Sequence, residues 1–517
     1  MKSHVIKLAA LILVFSMVLA ACGQGNGSGE AVANGDANAA VTASDTAGSA
    51  GDITVVMANI GNILDPIVAN STAVNIMMYH VYDRLIQIND DLDVVGHVAS
   101  SWSQPDNTTL EFIVQDGFTF HNGDPLTMDD IVFSIERTRE LAHMATFSAN
   151  LGPIEIDGNR LIVNMLEPNS SYIRDFASIV LVNQSQVEAL GDDYANNPIG
   201  TGPFRVREFI PGTRLVIEAW PDHPFSVPAL DSITFISIPE PVARYIALES
   251  GDVHFASIDS RDRDRATENP DVQLVEVATT FTAFVAMNSS VPPFDNVNIR
   301  RAMAHAFNRE GIAALSPGQM PIDSMFPRMF STYYSSAYTP EYSLELAREL
   351  LEAEGYGPGN PLQFEGWVFS PDYQMPMEAF QAELRTIGVE MEIISLEFGV
   401  FLERLAAGES RLLMGGWNNT SGDPLSAFEV YYSGTMGTMN IGFYENPRTD
   451  ELFYIARATT SQEELMEAAR EVQNIAAQNV PILPIYSHFV YYSFANELRG
   501  VEMLTNAMIC FRNAYLY

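Results

Sequence analysis

The sequence predicts an α/β fold with more than one lobe. The chain has 517 residues, more than one ordinary hydrophobic core encloses. Hydrophobic residues make up 47% and charged residues 18%, as in a globular protein rather than a disordered one. Segments typical of strands and of helices mix along the chain from residue 52 onward, without an obvious repeat. Because the only long linker lies near the N-terminus, we expect the lobes to share strands or to exchange the chain more than once.

Two segments illustrate the strand signal. Residues 52–58 (DITVVMA) and 110–116 (LEFIVQD) alternate or run apolar, as strands do. Asn122-Gly123 then provides a tight turn. Pro66, Gly123, Gly200 and Gly202 are interpreted as structural residues that fix turns or let the backbone pass closely.

Helix starts are marked by capping residues. Thr127 with Asp130, and Ser461 with Glu464, fit the capping box, in which two side chains bond the free amides of a first turn. The second start leads into an apolar stripe at helical spacing: Leu465, Ala469, Val472 and Ala476. Met303 and Phe307, four residues apart, are interpreted as one more buried helix face.

The N-terminus has the pattern of a secretory signal peptide. Lys2 and Lys7 flank the start of an apolar run that is too short for a comfortable membrane span and ends in small residues. Leu19-Ala20-Ala21-Cys22 resembles the bacterial lipobox, in which the cysteine is lipidated and becomes the mature N-terminus. We therefore predict a signal peptide at 1–21, a lipid anchor on Cys22, and a flexible tether over 22–51, which is rich in Gly, Ala, Ser and Asn. A plain signal peptide with an incidental cysteine is the alternative.

Charge and motifs exclude several function classes. The formal net charge of −38 repels phosphate backbones, so nucleic acid is not an expected partner. With Cys22 lipidated, Cys510 has no disulfide partner. The sequence has neither a HExxH motif nor a cysteine pair, so no metal site and no cofactor are expected. It also lacks a Gly-x-Ser-x-Gly elbow and a phosphate-binding Gly-x-x-x-x-Gly-Lys loop, which argues against an enzyme.

A series of short motifs carries a family resemblance. They follow one another in the order Leu64-Asp65-Pro66, Tyr82-Asp83, Ser101-Trp102, Phe120 to Pro125 (FHNGDP), Asp130 to Ser134 (DIVFS), 199–206 (IGTGPFRV), 284–310 and 476–486 (AAQNVPILPIY). This succession resembles the family 5 extracytoplasmic solute-binding proteins of peptide and nickel ABC importers, over nearly all of residues 52–517.

The resemblance implies a type II periplasmic-binding-protein-like fold, with two lobes around a cleft and an extra small domain. By that pattern lobe I combines 52–84, 199–283 and 487–517. The small extra domain occupies 85–198, and lobe II spans 284–486. The two lobes are expected to close on a ligand like a clamp.

The candidate binding site lies in residues 414–428 (MGGWNNTSGDPLSAF). In the family this region is a cleft-facing strand that carries a tryptophan and runs into a loop ending in Asp-Pro. Peptide-binding members usually have an acidic residue three places after the tryptophan, and here that position is Thr420. The predicted ligand contacts are therefore Trp417, Asn418, Asn419, Thr420 and Asp423, with Asp423 as the nearest candidate for the charge.

Two alternatives remain within that site. Trp417 is interpreted as a stacking surface for the ligand, but it could instead pack the core of lobe II. Asp423 precedes Pro424 and could serve the turn alone. No basic residue occurs between Arg348 and Arg385, where dipeptide-binding members carry an arginine, so a short zwitterionic peptide is not the safest prediction.

The predicted function is that of a monomeric lipoprotein on the extracytoplasmic face of the bacterial cell membrane. It would capture an oligopeptide-like ligand and deliver it to an ABC permease. An oligosaccharide, or less readily a nickel chelate, is the alternative ligand. A surface hydrolase or adhesin is the alternative from another class.

Overall fold

The structure is a computed structural model that describes residues 51–65, 71–89, 93–141, 144–315, 318–326, 333–335, 340–419, 423–503 and 509–517. Predictions for the signal peptide, Cys22, the tether up to residue 50, Pro66 and Thr420 lie outside these ranges. No helix in the described ranges is long and apolar enough to cross a membrane.

Strands and helices alternate throughout the described ranges. The strands are β1 (Asp52–Met57), β2 (Ile86–Ile88), β3 (Val94–Gly96), β4 (Ala99–Asp106), β5 (Thr109–Val114), β6 (Leu151–Asp157), β7 (Arg160–Met165), β8 (Phe204–Ile210), β9 (Arg214–Ala219), β10 (Ser232–Ser237), β11 (Phe255–Ile258), β12 (Val272–Ala278), β13 (Phe281–Met287), β14 (Gln319–Pro321), β15 (Leu362–Val368), β16 (Val389–Ser395), β17 (Leu412–Asn418), β18 (Ile482–Ala495), β19 (Leu498–Arg499), β20 (Glu502–Met503), β21 (Ile509–Cys510) and β22 (Tyr515–Leu516).

The helices are α1 (Thr72–Met78), α2 (Met128–Glu136), α3 (Ala145–Asn150), α4 (Tyr172–Phe176), α5 (Gln184–Leu190), α6 (Pro241–Glu249), α7 (Arg263–Glu268), α8 (Val297–His305), α9 (Arg309–Ala313), α10 (Leu344–Ala353), α11 (Pro371–Thr386), α12 (Phe398–Ala406), α13 (Leu425–Glu429), α14 (Pro447–Ala458) and α15 (Gln462–Asn479). Short 3-10 turns cover Arg137–Glu140, Gly191–Asn196, Ser260–Asp262 and Ser433–Thr435.

One large mixed sheet runs through both lobes. Its strand order is β16-β15-β17-β13-β18-β11-β1-β10-β9-β8, and β12 and β14 also pair with β18. We call the half with β1 and β8–β12 lobe I, and the half with β13–β17 lobe II. A separate antiparallel sheet, β4-β5-β7-β6, forms the small domain. The residue bounds predicted for these three parts stay a prediction.

The long strand β18 joins the two halves of the sheet. Its first residues pair with β13, and its last residues pair with β11 and β12. The chain crosses a second time between β12 and β13, at Thr279 and Thr280. Thr279 Oγ1 lies 3.0 Å from Ser487 Oγ, so the two crossings are hydrogen-bonded side by side. The expectation of shared strands and more than one crossing agrees with this topology.

Each part packs around its own core. In lobe I, side chains of β1, β10 and β11, among them Phe235, pack against the C-terminal segment, which contributes Phe511. The small domain packs α2 and α4 on its four strands. In lobe II the sheet has a core on each face, and β17 alternates between them: Leu412 and Met414 join one, whereas Leu413 and Trp417 join the other.

The family motifs near residue 83 have a structural explanation. The buried Asp83 carboxylate accepts hydrogen bonds from Arg512 Nη1 at 3.0 Å and lies 2.8 Å from His97 Nε2. Burial alone would raise the pKa of Asp83, but His97 and Arg512 hold it well below its usual range. Asp83 thereby ties the start of the small domain to the C-terminal segment.

The glycines predicted to be structural fill that role. A Cβ on Gly200 would lie 2.0 Å from the carbonyl oxygen of Val81, and one on Gly202 would lie 2.6 Å from that of His80. Gly123 has a φ of 89°, which other residues rarely adopt. No side chain larger than hydrogen fits at the first two positions without moving the backbone.

Candidate functional site

A cleft lies between the two lobes, beside the crossing strands. Its volume is about 1110 Å³, slightly above the roughly 300–1,000 Å³ that pockets for small molecules commonly measure. Lobe I contributes the end of β1, the start of α1 and residues around β11, and lobe II contributes the start of α11 and the end of β17. A cleft of this size suits an elongated ligand.

The lobe I wall carries two arginines, each of which bonds groups of its own lobe through Nε and one terminal nitrogen. Arg244 donates to the carbonyl oxygens of Ser257 at 2.6 Å, Ile238 at 2.9 Å and Pro239 at 2.7 Å. Arg261 reaches both carboxylate oxygens of Asp259, with Nε 2.8 Å from Oδ1 and Nη2 3.2 Å from Oδ2. The hydrogen bond from Arg261 lowers the pKa of Asp259. Both guanidinium groups therefore hold this wall in shape.

The lobe II wall is aromatic and carries an exposed carboxylate. Asp372 lies in the first turn of α11, where its side chain accepts a hydrogen bond of 3.2 Å from the N-cap residue Ser370. A carboxylate at this position is favoured by the helix dipole whether or not it meets a ligand. Phe369, Tyr373 and Phe398 surround it on the wall.

His488 lies on β18, where the two walls meet. Its ring packs 4.5 Å from that of Phe281, and its Nε2 is buried without a hydrogen-bond partner among the described residues. Burial lowers the pKa of His488 to about 4, although the nearby Asp372 raises it. The imidazole is therefore neutral at pH 7, with one nitrogen left for a polar group of a ligand.

The predicted site residues of β17 lie on opposite faces of the strand. Asn418 lines the cleft, and its Oδ1 accepts a hydrogen bond of 2.6 Å from Thr280 Oγ1. Trp417 points the other way into the core of lobe II, where 9% of its surface is exposed. The structure thus supports the packing interpretation of Trp417, and its predicted contact with a ligand stays a prediction.

Asn419 and Asp423 are bonded to each other in the loop after β17. Asn419 Nδ2 donates to the carbonyl oxygen of Asp423 at 2.8 Å, and both residues are buried. The Asp423 side chain also accepts from the amide of Leu425 at 3.0 Å. Burial raises the pKa of Asp423, while a hydrogen bond from Ser171 and the charge of Arg174 lower it.

Asp423 therefore faces the small domain. Beside it, Ser170 donates to the carbonyl oxygen of Arg457 at 2.7 Å, and Arg457 pairs with Glu167 at 2.9 Å. These contacts join lobe II to the small domain and give Asp423 a structural role, as the turn interpretation anticipated. The prediction that it contacts ligand stays a prediction.

Sequence reasoning missed several polar residues of the cleft. Asp372, Arg261 and His488 come from three distant segments, and none belongs to a recognisable motif. The helix start Ser370-Pro371-Asp372 was readable as a cap, but nothing in the sequence shows that it faces a cleft. The described residues include no cluster of three or more His, Cys, Asp or Glu side chains able to hold a metal ion.

Comparison with known proteins identifies the family. Residues 93–438 match the bacterial extracellular solute-binding proteins, family 5, middle. The chain belongs to this family. It is 22% identical to the dipeptide-binding protein of Escherichia coli K12 over 463 residues, which cover 81% of this chain and 86% of that protein.

Solved structures show the same fold. HbpA2 from Haemophilus parasuis superposes with a TM-score of 0.84 at 21% identity, covering 90% of this chain and 100% of that one. The periplasmic binding protein DppA from Helicobacter pylori, in complex with the peptide STSA, gives a TM-score of 0.71 at 20% identity, over 91% and 98% of the two chains.

These findings confirm the predicted family and the predicted type II fold of two lobes around a cleft with an extra domain. The chain is therefore a member of a family of bacterial extracellular solute-binding proteins, which are binding proteins and not enzymes.

Proposed function

We propose that this solute-binding protein captures an oligopeptide-like ligand in the cleft and delivers it to an ABC permease in the bacterial cell membrane. The observation that carries the proposal is the strand edge presented by β17. β15 pairs with β17 only at Leu412 and Leu413, whereas Gly416 and Asn418 further along line the cleft. An extended peptide can add to such an edge through its main-chain hydrogen bonds.

The charges of the cleft support the same ligand class. Asp372 is exposed on the wall that carries β17, so its carboxylate can meet the α-amino group of a peptide. The buried Nε2 of His488 and the amide of Asn418 add uncharged hydrogen-bonding groups. Of the five residues predicted from the sequence, we propose Asn418 as the direct ligand contact, with Trp417, Asn419 and Asp423 shaping the wall behind it.

The proposal is tested by identifying what the cleft holds. The protein is purified without denaturation, and small molecules released from it are analysed by mass spectrometry. Peptides are the expected result, and calorimetric titration of synthetic copies should reproduce the binding. Recovery of an oligosaccharide, or of a chelated metal, would replace the peptide assignment.

We also propose that the protein is a lipid-anchored monomer. The support is the lipobox-like Leu19 to Cys22 followed by residues suited to a tether. Cys22→Ser should move the protein from the membrane fraction to the medium or periplasm, because two acyl chains are needed for stable anchoring. Membrane retention of the variant at wild-type levels would refute the anchor. Ser3→Ala, a substitution within the predicted signal peptide, is the matched control.

A further inference from the structure

A second, smaller cavity lies in lobe II beside the cleft. Phe369, Phe398 and Gly416 line both the cleft and this cavity, so the two spaces adjoin at these residues. Leu402 and Leu413 are among the other side chains that form its walls. We call it the apolar pocket. Its cavity volume is about 50 Å³, against roughly 10–15 Å³ for a single water.

Two consecutive glycines of β17 shape the apolar pocket. A Cβ on Gly416 would lie 2.2 Å from Phe281 Cζ, so glycine is needed there for the cleft wall to pack. Gly415 lies on the other face, between Leu413 and Trp417. Because Gly415 has no side chain, the Phe369 ring on the pocket wall can approach the strand closely, to within 3.3 Å of where a Cβ would be.

The chemistry of the pocket points to an apolar occupant. Its lining offers almost only carbon atoms, so water inside it would find few hydrogen-bond partners. Phe398, which lines both the pocket and the cleft, is 38% exposed. Because the pocket shares lining residues with the cleft, a group bound in the cleft lies next to it.

We propose that the apolar pocket receives a bulky apolar side chain of the ligand, so that the protein prefers peptides carrying Leu, Ile, Met or Phe at one position. This inference rests on the proposed function, because it assumes that the cleft holds a peptide. It adds a selectivity that the strand edge and Asp372 do not supply, since main-chain bonds and the α-amino group are common to all peptides.

The test compares tetra-alanine with four peptides that each replace one alanine by leucine. Calorimetric titration of the purified protein should show at least tenfold tighter binding for one of the four, because burying the added carbons of leucine favours binding. Leu402→Trp fills the pocket and should abolish that preference while leaving tetra-alanine affinity within about twofold. Val400→Trp, on the same helix but exposed and outside the pocket, should change neither affinity.

A second variant covers the case in which Leu402→Trp does not fold. Leu402→Ala enlarges the pocket and should move the preference from leucine toward phenylalanine. Equal affinity of wild type for all five peptides overturns the pocket proposal and leaves the proposed function standing. If none of the peptides binds, the proposed function fails instead. Benzene, a probe that is not a peptide, then tests the pocket alone. It should raise the melting temperature of wild type but not that of Leu402→Trp, provided that this variant folds. No rise with wild type overturns the pocket proposal.

Discussion

The two walls of the cleft use their charged side chains in different ways. On the lobe I wall, Arg244 donates to three carbonyl oxygens of its own lobe, and Arg261 is paired with Asp259. On the lobe II wall, Asp372 is exposed to the cleft among aromatic rings. The charged side chains of the lobe I wall stabilise that wall itself. The lobe II wall instead presents a carboxylate to the cleft and has an apolar pocket beside it.

This difference indicates where selectivity is encoded. Substitutions on the lobe I wall should alter its conformation or stability with little effect on which ligand binds. Substitutions on the cleft-facing side of the lobe II wall should alter the ligand preference itself. Residues packed in the core on the reverse side of that wall should affect stability, and those that line the apolar pocket should also affect the preference for an apolar side chain.

The largest expected effect concerns that reverse side. Trp417→Ala removes a ring packed in the lobe II core and should lower the free energy of unfolding by about 3–5 kcal/mol. The affinity of the folded fraction for tetra-alanine should change less than about twofold. Denaturant unfolding and calorimetric titration of the same variant measure the two effects. An intact unfolding curve with lost affinity would place the ring in the cleft and break the distinction between the two sides.

The next effect concerns backbone space on the lobe II wall. Gly416→Val forces a side chain against Phe281 and the Tyr373 hydroxyl, whose oxygen would lie 2.5 Å from the new Cβ. Overpacking of this kind should cost about 1–3 kcal/mol of stability. Ala58→Val on the exposed lobe I wall is the matched control and should stay within about 0.5 kcal/mol. Equal melting temperatures of the two variants would contradict the predicted contact.

A third effect compares the charges directly. Asp372→Asn should weaken binding of peptides with a free α-amino group about tenfold, or roughly 1.4 kcal/mol. N-acetylated copies of the same peptides should bind wild type and variant alike. Arg261→Gln should change affinity less, because exposed ion pairs contribute about 0–1 kcal/mol. A larger loss for Arg261→Gln than for Asp372→Asn would reverse the assignment of selectivity to lobe II.

The smallest expected effect is the dependence of stability on pH that comes from His488, where the two walls meet. The folded protein keeps His488 neutral down to a pKa of about 4, whereas an unfolded histidine takes up its proton near pH 6.5. Its contribution to stability is therefore present above pH 6.5 and lost as the pH falls from 6.5 toward 4.

The slope attributable to one such group is below about 1.4 kcal/mol per pH unit. His488→Gln should remove this part of the fall in melting temperature between pH 6.5 and 4. Burial lowers the pKa of His80 to about 3 and of His121 to about 4, so both keep their own acid sensitivity in the variant. An unchanged slope in His488→Gln would show that the imidazole is not held neutral by burial.

Local signals in the sequence were reliable wherever neighbouring residues decide the structure. Thr127 and Asp130 form the predicted capping box in full. Ser461 caps α15 by accepting from the Glu464 amide, and Ala469, Val472 and Ala476 are buried as their spacing indicated. The second capping box is only half formed, because the Ser461 amide donates to Thr459 instead of Glu464. Met303 is fully buried on α8, whereas Phe307 is buried beyond the end of that helix.

The site was only partly predictable, for two physical reasons. Residues 417 and 418 are adjacent on a strand, so their side chains point to opposite faces. The sequence indicates this alternation once β17 is recognised as a strand. The resemblance of the loop to the family's binding region nevertheless led us to predict both residues as ligand contacts. Asp372 and His488 enter the cleft only through the packing of segments far apart in the chain, and no local pattern contains that information.

Strand β18 sets the order in which the molecule can be assembled. It is the partner of β11, β12, β13 and β14, yet it begins at Ile482 in a chain of 517 residues. Apart from β12 and β14, the other strands of each half pair with one another without β18, but among the described strands only β18 joins the two halves into one sheet. That junction can form only after the ribosome has made nearly all of the chain, and contacts this distant in sequence form slowly. The hinge on which the cleft depends is therefore the last part of the sheet to be completed.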